Sequence, residues 1–519
     1  MKTYTRFIIL VILGAAAHAG EVLDMQYRQL MLDEAVVAAS QNVERFYGQF
    51  AHSGVRVLEP TEPIETVWNR ISGGPIVIHD EAAGVYRMWY NTVWRVRGEQ
   101  FGLTRAPGLY AESADAVHWT KPALRHYEFE DDSGANNIVY GMGFDSVTRD
   151  PGAECRYRAF KGHQFVMHTL SNDGRSVAET VSMGFDKMAI PNAKEKLEAT
   201  GVFNADRSNV SYDPVTGRYL GMFKTWTQLE GGRDSEAWRR SVALAVSGTG
   251  TDWTFSGDIL TVDLADDDWL HGHPHVAAPE QRNAADPPPR SELHDMGVFR
   301  YEGLLLGIRN HMYVYPVAGN NRRGHEAGRF GQHSTEQFLT WSRDFEIWQR
   351  PPSAERRPLF PVPPVDSPHF GFRELRYPCI LEVGDELWLF HNVPEGMGNE
   401  LRPPRPTWFT YATLRLDGWA GYRAGAEEGW IETAPFRADG ALRVNVDAEG
   451  GALRVAVLDE QGHEIPGFGR EQSRPVTGDH TAAEVQWNQA AWDDLAGRTV
   501  QLKFYLHGAA VYSFWTRER

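Results

Sequence analysis

The sequence predicts an all-β protein, a five-bladed β-propeller followed by a C-terminal β-sandwich, and three observations predict it. Helical periodicity is scarce after residue 66, where short alternating aromatic and aliphatic runs are punctuated by Gly, Pro, Asn and Asp. A hairpin pattern then recurs five times. A second pattern, a Ser and an Asp ahead of a Trp, follows most of the hairpins.

The hairpins are Ile76–Tyr90 (IVIHDEAAGVYRMWY), Ser146–Phe160 (SVTRDPGAECRYRAF), Ser208–Phe223 (SNVSYDPVTGRYLGMF), Met296–Ile308 (MGVFRYEGLLLGI) and Tyr377–Phe390 (YPCILEVGDELWLF). The Ser/Asp/Trp pattern is Ser113–Trp119 (SADAVHW), Ser247–Trp253 (SGTGTDW) and Trp341–Trp348 (WSRDFEIW). A copy at Ser171–Gly174 lacks the Trp, and the fifth is reduced to Leu414–Trp419. Hairpin plus following strand makes about four strands per unit, and units beginning near residues 70, 136, 203, 291 and 372 are blades of one propeller. Two stacked β-sandwiches would supply the strands but not the fivefold recurrence.

The remaining elements follow in chain order. Residues 1–19 carry Lys2 and Arg6, an apolar stretch from Phe7 to Leu13, and Ala17-His18-Ala19, the pattern of a secretory signal peptide, so the expected location is secreted or periplasmic. Residues 20–417 are expected to hold the propeller, with an N-terminal extension around Tyr27–Glu34 and Val43–Val55 that packs on it or supplies a closing strand. From residue 418 to 519 the blade pattern gives way to strands such as Gly440–Asp447, Gly451–Leu458, Thr499–Leu506 and Ala510–Trp515, read as the β-sandwich.

Composition narrows the partners. The chain has 52 Lys and Arg against 69 Asp and Glu, a net charge of -17. Without Lys2 and Arg6 the balance is 50 against 69, or -19, which argues against nucleic acid or an anionic membrane surface. No segment has the roughly 20 apolar residues of a membrane-inserting helix. With Cys155 and Cys379 alone, no disulfide framework exists, and both read as small buried apolar residues. Rossmann, Walker, nucleophile-elbow and HExxH motifs are absent from convincing contexts, which removes cofactor-dependent redox and phosphoryl transfer.

The hairpin alignment also sorts the acids. Asp80, Asp150 and Asp213 fall at one position, four residues ahead of Gly84, Glu154 and Gly217, where turn chemistry selects Asp. They belong to the blade turns, with Glu81 facing solvent. Counting back to the start of each inner strand, where side chains of several blades converge, gives Asn69 and Arg70, then Asp145, then Asp206 and Arg207, then Glu292, His294 and Asp295, then Arg373, Glu374 and Arg376. Glycoside hydrolysis needs two carboxyl groups roughly 5–9.5 Å apart, and a ring of strand starts can hold them.

Asp206, Glu292, Asp295 and Glu374 are the candidate catalytic residues, Glu292 or Asp295 with Glu374 as acid and base and Asp206 holding the sugar or tuning a pKa. Asn69, Arg70, Asp145, Arg207, Trp226, His271, His273, His294, Arg373 and Arg376 are the candidate substrate-binding residues. Among them Arg207, Arg373 and Arg376 suit a carboxylate or sulfate on the glycan. Trp68, Trp94, Trp226, Trp269 and Phe372 are placed to stack on sugar faces. In the loop Asp266–His275 (DDDWLHGHPH), His271, His273 and His275 alternate, and a divalent metal there is the alternative to sugar binding or plain loop structure. No other cluster completes a zinc set, so no metal and no cofactor are assigned.

The five hairpins, WSRDFEIW with Pro351 and Pro352 behind it, and Glu374–Phe390 (ELRYPCILEVGDELWLF) resemble the five-bladed propeller glycosidases related to glycoside hydrolase families 32 and 43, especially exported bacterial propellers that end in a β-sandwich. The resemblance implies carboxylates from successive blades acting as base or nucleophile, pKa tuner and acid. It departs at blade one, where Asn69 and Arg70 stand in place of an Asp, and no W-M-N-D-P segment exists; Arg149-Asp150-Pro151 is similar to the family 32 R-D-P but falls on a turn. The expected function is an exported glycoside hydrolase acting on a plant or algal polysaccharide or oligosaccharide. A polysaccharide lyase on a uronate-containing glycan and a non-catalytic glycan-binding propeller are the alternatives.

Overall fold

The computed structural model describes residues 22–66, 71–92, 108–128, 134–139, 141–142, 145–161, 167–181, 192–200, 208–229, 238–271, 290–314, 335–361, 373, 375–393 and 407–516. The chain divides into two compact units, Gln49–Leu416 and Met1–Gly48 with Asp417–Arg519.

Within Gln49–Leu416 lie five antiparallel sheets, one per blade. Blade one runs Ser72–Asp80, Val85–Asn91, Gly108–Ser113 and Trp119–Thr120, and blade two Ser146–Arg149, Tyr157–Lys161, Met167–Ser171 and Glu179–Val181. Blade three runs Ser208–Asp213, Arg218–Gln228, Trp238–Ser247 and Thr254–Leu260. Blade four has Arg290–Tyr301, Leu304–Val314 and Thr335–Ser342, its fourth strand reduced to a bridge between Trp341 and Gln349. Blade five takes Ile380–Val383, Glu386–Asn392 and Phe409–Arg415 from its own segment and its outer strand, Ala51–His52, from the other end of the chain. That strand pairs with Phe409–Arg415 and ties the ring shut.

Cores lie between blades. Ile76, Trp89 and Tyr110 of blade one pack with Val147 and Tyr157 of blade two. Phe160 meets Val210 and Tyr219, Leu220 and Val242 meet Leu293 and Met296, and Leu381 and Phe390 of blade five pack with Val77 and Met88 of blade one. Alternation along each strand therefore buries both faces, as a ring of stacked sheets requires.

The Ser/Asp/Trp pattern is a turn at the end of the third strand. Asp115 Oδ1 accepts from the Val117 and His118 amides, Asp173 Oδ1 from Arg175 and Ser176, and Asp344 Oδ1 from Glu346 and Ile347. Three residues after the Ser the backbone takes positive φ, at Ala116 (61°), Gly174 (71°), Gly250 (81°) and Phe345 (72°). The Trp indole then caps that residue's carbonyl, Trp119 to Ala116 at 2.9 Å, Trp253 to Gly250 at 3.1 Å and Trp348 to Phe345 at 2.8 Å. The copy without a Trp borrows one, since Trp89 of blade one donates to the Gly174 carbonyl at 2.7 Å.

The aligned Asp residues do more than turn the chain. Tyr157 of blade two donates to Asp80 of blade one at 2.7 Å, Tyr219 of blade three to Asp150 of blade two at 2.6 Å, and Arg300 of blade four pairs with Asp213 of blade three at 2.8 and 3.0 Å. Blades two, three and four each latch onto their predecessor. Burial opposes it, yet the bonds from Tyr157 and Arg87 hold Asp80 below the usual carboxylate range, and Arg300 does the same for Asp213.

The centre of the ring is crossed by the segment ahead of blade five. The Val147 amide donates to the Tyr377 carbonyl at 3.1 Å, the Tyr377 amide to the Asp145 carbonyl at 3.4 Å, and the Val77 amide to the Pro378 carbonyl at 2.8 Å. The Tyr377 ring lies on Gly297 of blade four, where a Cβ would stand 2.0 Å from it.

The other unit is a ten-stranded antiparallel sheet whose path runs through Val37–Gln41, Gly429–Thr433, Thr499–His507, Arg443–Leu458, Ala509–Trp515, Ala420–Ala424 and Glu44–Tyr47. One curled sheet stands where a two-sheet sandwich is expected. Arg443–Leu458 pairs with Ala509–Trp515 through its first half and with Thr499–His507 through its second, and both halves feed one core with Val444, Val455, Phe504 and Phe514. The N-terminal extension also differs from expectation. Gln29–Leu30, Val37–Gln41 and Glu44–Tyr47 hydrogen-bond into this sheet, so only the chain from Gln49 joins the propeller. Both cysteines are free, Cys379 buried and Cys155 half-buried rather than buried as expected. Among the described residues no helix is long and apolar enough to cross a membrane.

Candidate functional site

The predicted residues that the structure brings together are those of blade four. Its inner strand, Arg290–Tyr301, carries a bulge between Leu293 and Asp295, so Glu292 stands opposite Met312 and Asp295 opposite Asn310. Met312 and Asn310 are two residues apart on one strand and share a face, and so therefore do Glu292 and Asp295. Simple alternation would have placed them on opposite faces; the extra residue, His294, restores parity. Two residues of strand set their backbones about 7 Å apart.

Each carboxylate has a partner. Glu292, fully buried, is paired through Oε2 with Arg240 of blade three and through Oε1 with Arg290 at 2.8 Å. Asp295 Oδ2 lies 2.5 Å from His294 Nδ1. Burial first, and the Asp295 charge after it, push the Cys379 thiol upward. For Tyr377 the order is burial, Cys379 and then Asp295, all raising the phenol.

The third strand of blade four adds Glu336, which accepts from Tyr313 at 2.6 Å and from Trp269 at 3.3 Å. It adds Gln337 as well, which donates to Asn310 at 2.9 Å. Asp267 accepts the Ser291 amide at 2.7 Å beside Glu292, and burial, opposed by that bond, raises its carboxyl. Sequence reasoning passed over Arg240, Glu336 and Asp267. Glu336 stands on the third strand rather than at an inner-strand start, and Asp267 was grouped with the histidines behind it.

Other predicted residues have different surroundings. Trp226 is buried with the Arg240 guanidinium 5.2 Å from its ring centroid, so that face is taken by a protein cation rather than free for a sugar. Trp269 has Arg357 at 5.7 Å from its ring. Arg376 donates to Asn91 at 2.8 Å and packs on Gly73 of blade one. Asp145 is buried at the start of blade two. Arg373 is buried beside Gln337.

The expected loop at Asp266–His275 is in fact helical up to His271, within Leu264–His271. Asp266 there is held by Arg356 at 2.6 Å. His273 and His275 lie outside the described residues, as do Asn69, Arg70, Asp206, Arg207, Glu374, Trp68, Trp94 and Phe372. No cluster of three His, Cys, Asp or Glu suited to a metal occurs among the described residues.

No protein-family profile and no curated protein matches the chain. Solved structures do. An α-L-arabinofuranosidase of Podospora anserina, in complex with cellotriose, is 9% identical over 71% of this chain and 98% of its own, with a TM-score of 0.40. A glycosyl hydrolase from Bacteroides ovatus is 13% identical over 71% and 94%, with a TM-score of 0.37. A family 32 β-fructofuranosidase from Bombyx mori is 8% identical over 89% and 94%, with a TM-score of 0.35. At these identities the likeness is one of fold.

Proposed function

We propose that the protein is an exported glycoside hydrolase acting on a plant or algal polysaccharide or its oligosaccharides, with Glu292 and Asp295 as its carboxyl pair. The observation that carries this is the bulge at His294. It sets Glu292 and Asp295 on one face of a strand with backbones about 7 Å apart, and acid/base cleavage of a glycosidic bond uses two carboxyl groups roughly 5–9.5 Å apart. The two guanidiniums on Glu292 commit it to the anionic role, base or nucleophile. Asp295, which shares a short hydrogen bond with His294, is the other carboxyl group of the pair. Glu374, Asp206 and the arginine at 207, outside the described residues, remain candidates to complete the site. Export rests on the leader-like segment 1–19, also outside them.

Turnover of a polysaccharide panel, read as new reducing ends, tests the reading. E292Q and D295N should each lower kcat/KM by about 10²–10⁴ with the fold intact, and full activity in both would reject the pair. The complete burial of Glu292 under two arginines favours a second reading, a glycan-binding propeller without catalysis. Affinity for a glycan with no reducing ends and no unsaturated product would establish it, and an unsaturated product would instead mark a lyase.

A further inference from the structure

Arg373, at the approach to blade five, is 4% exposed and fixed from several sides. Its backbone amide donates to Thr335 Oγ1 at 2.8 Å, and that hydroxyl donates back to the Arg373 carbonyl at 2.7 Å. Its Nη1 donates to Gln337 Oε1 at 3.1 Å, and the guanidinium carbon stands 4.1 Å from the Phe360 ring centroid. Gln337 is itself held by Asn310. Position and plane of the guanidinium are thereby set before any ligand arrives.

What this leaves over is one edge. Among the described residues Nε and Nη2 of Arg373 have no hydrogen-bond partner, nor has Asn310 Nδ2. Among the described residues no carboxylate forms an ion pair with Arg373, whereas Arg240, Arg300 and Arg356 each meet one. Burial pulls the Arg373 guanidinium down to about 10, with the charge of Glu336 opposing it. A buried cation without a paired carboxylate is costly to the fold, and buried donors are ordinarily satisfied. Such a group is retained where something outside the chain completes it.

We propose that Arg373, with Asn310, binds an oxyanion substituent of the glycan, the carboxylate of a uronic acid or a sulfate ester. Nε and Nη2 form the side edge of the guanidinium, whose parallel N–H bonds match two oxygens of one anion. Asn310 stands opposite Asp295 on the neighbouring strand, so the anion would lie on the side of blade four that carries the candidate carboxyl pair. The inference rests on the reading that the ligand is a glycan, and it names the class of glycan.

Calorimetric titration of the full-length protein at fixed ionic strength, with galacturonic acid, galactose 6-sulfate and galactose as probes, tests it without turnover. Wild type should bind an anionic probe and not galactose; preference for the first assigns a carboxylate, for the second a sulfate ester. R373K, which keeps the charge but loses the fork, should weaken binding about 10- to 100-fold, and R373M should abolish it. Without ligand, R373M should unfold at the same temperature as wild type or higher, because an uncompensated buried charge is gone. Equal affinity for galactose, undiminished anion binding in both variants, or a drop of several degrees in R373M would overturn the proposal. Anion binding with no glycan cleavage would refute hydrolysis and leave this site standing. Cleavage of an anionic glycan at wild-type kcat/KM by both R373K and R373M would refute the site and leave hydrolysis standing.

Discussion

The latch between Asp213 and Arg300 should carry a measurable part of the propeller's stability. Asp213 is buried, its two oxygens take Nε and Nη2 of Arg300 at 3.0 and 2.8 Å, and Thr216 and Val215 donate to it within its own turn. D213N keeps the size and an acceptor for the turn but removes the charge and sets an amide against a guanidinium. Removing one partner of a buried pair costs about 3–5 kcal/mol, and Arg300, 14% exposed, puts this case at about 3 kcal/mol. The roughly 370 residues of Gln49–Leu416 have an unfolding entropy of about 0.8 kcal/mol/K. The expected fall in melting temperature is then about 4 °C by scanning calorimetry. The pH dependence has a definite sign. A carboxyl held low in the folded state stabilises fully above its unfolded pKa of about 3.9 and loses that contribution as pH falls through the folded value. Wild type should therefore lose melting temperature faster than D213N on acidification below about pH 4. A shift under 1 °C in D213N, or parallel acid profiles, would refute the latch as a source of stability.

Three further outcomes follow from the same geometry. G297A places a Cβ 2.0 Å from the Tyr377 ring, and overpacking of that kind should lower the urea midpoint by about 1–3 kcal/mol equivalent. W89F leaves the Gly174 carbonyl without its 2.7 Å donor and should cost about 1–2 kcal/mol in the same measurement. T410A removes the hydroxyl that donates to the Val55 carbonyl at 2.6 Å beside the closing strand; hydrogen exchange of Ala51 and His52 should quicken while that of blade three is unchanged.

The ring was legible because its repeating chemistry is local. An Asp before a hairpin turn, or a Ser and an Asp ahead of a Trp, satisfies backbone groups a few residues away, so each copy can be found without knowing what packs beside it. What spans the blades was not legible. Asp80 looks like a turn residue in sequence because its partner, Tyr157, is 77 residues away. Gly174 looks like a defective copy because its Trp comes from blade one. The extension before Gln49 carries strands of neutral pattern, and whether they pair with propeller or C-terminal sheet depends on open edges that sequence does not mark.

The candidate site shows the same limit more sharply. Counting strand starts located Glu292, His294 and Asp295, but period-two reasoning then sets Glu292 and Asp295 back to back, whereas two groups acting on one bond need a shared face. Only the partner strand reveals the shift, because Leu293 faces His311 and Asp295 faces Asn310 with nothing opposite His294. A bulge bends its strand and increases local twist. Here it also brings a histidine to within 2.5 Å of one carboxyl group while two arginines hold the other. Two similar groups on one face thus have different surroundings.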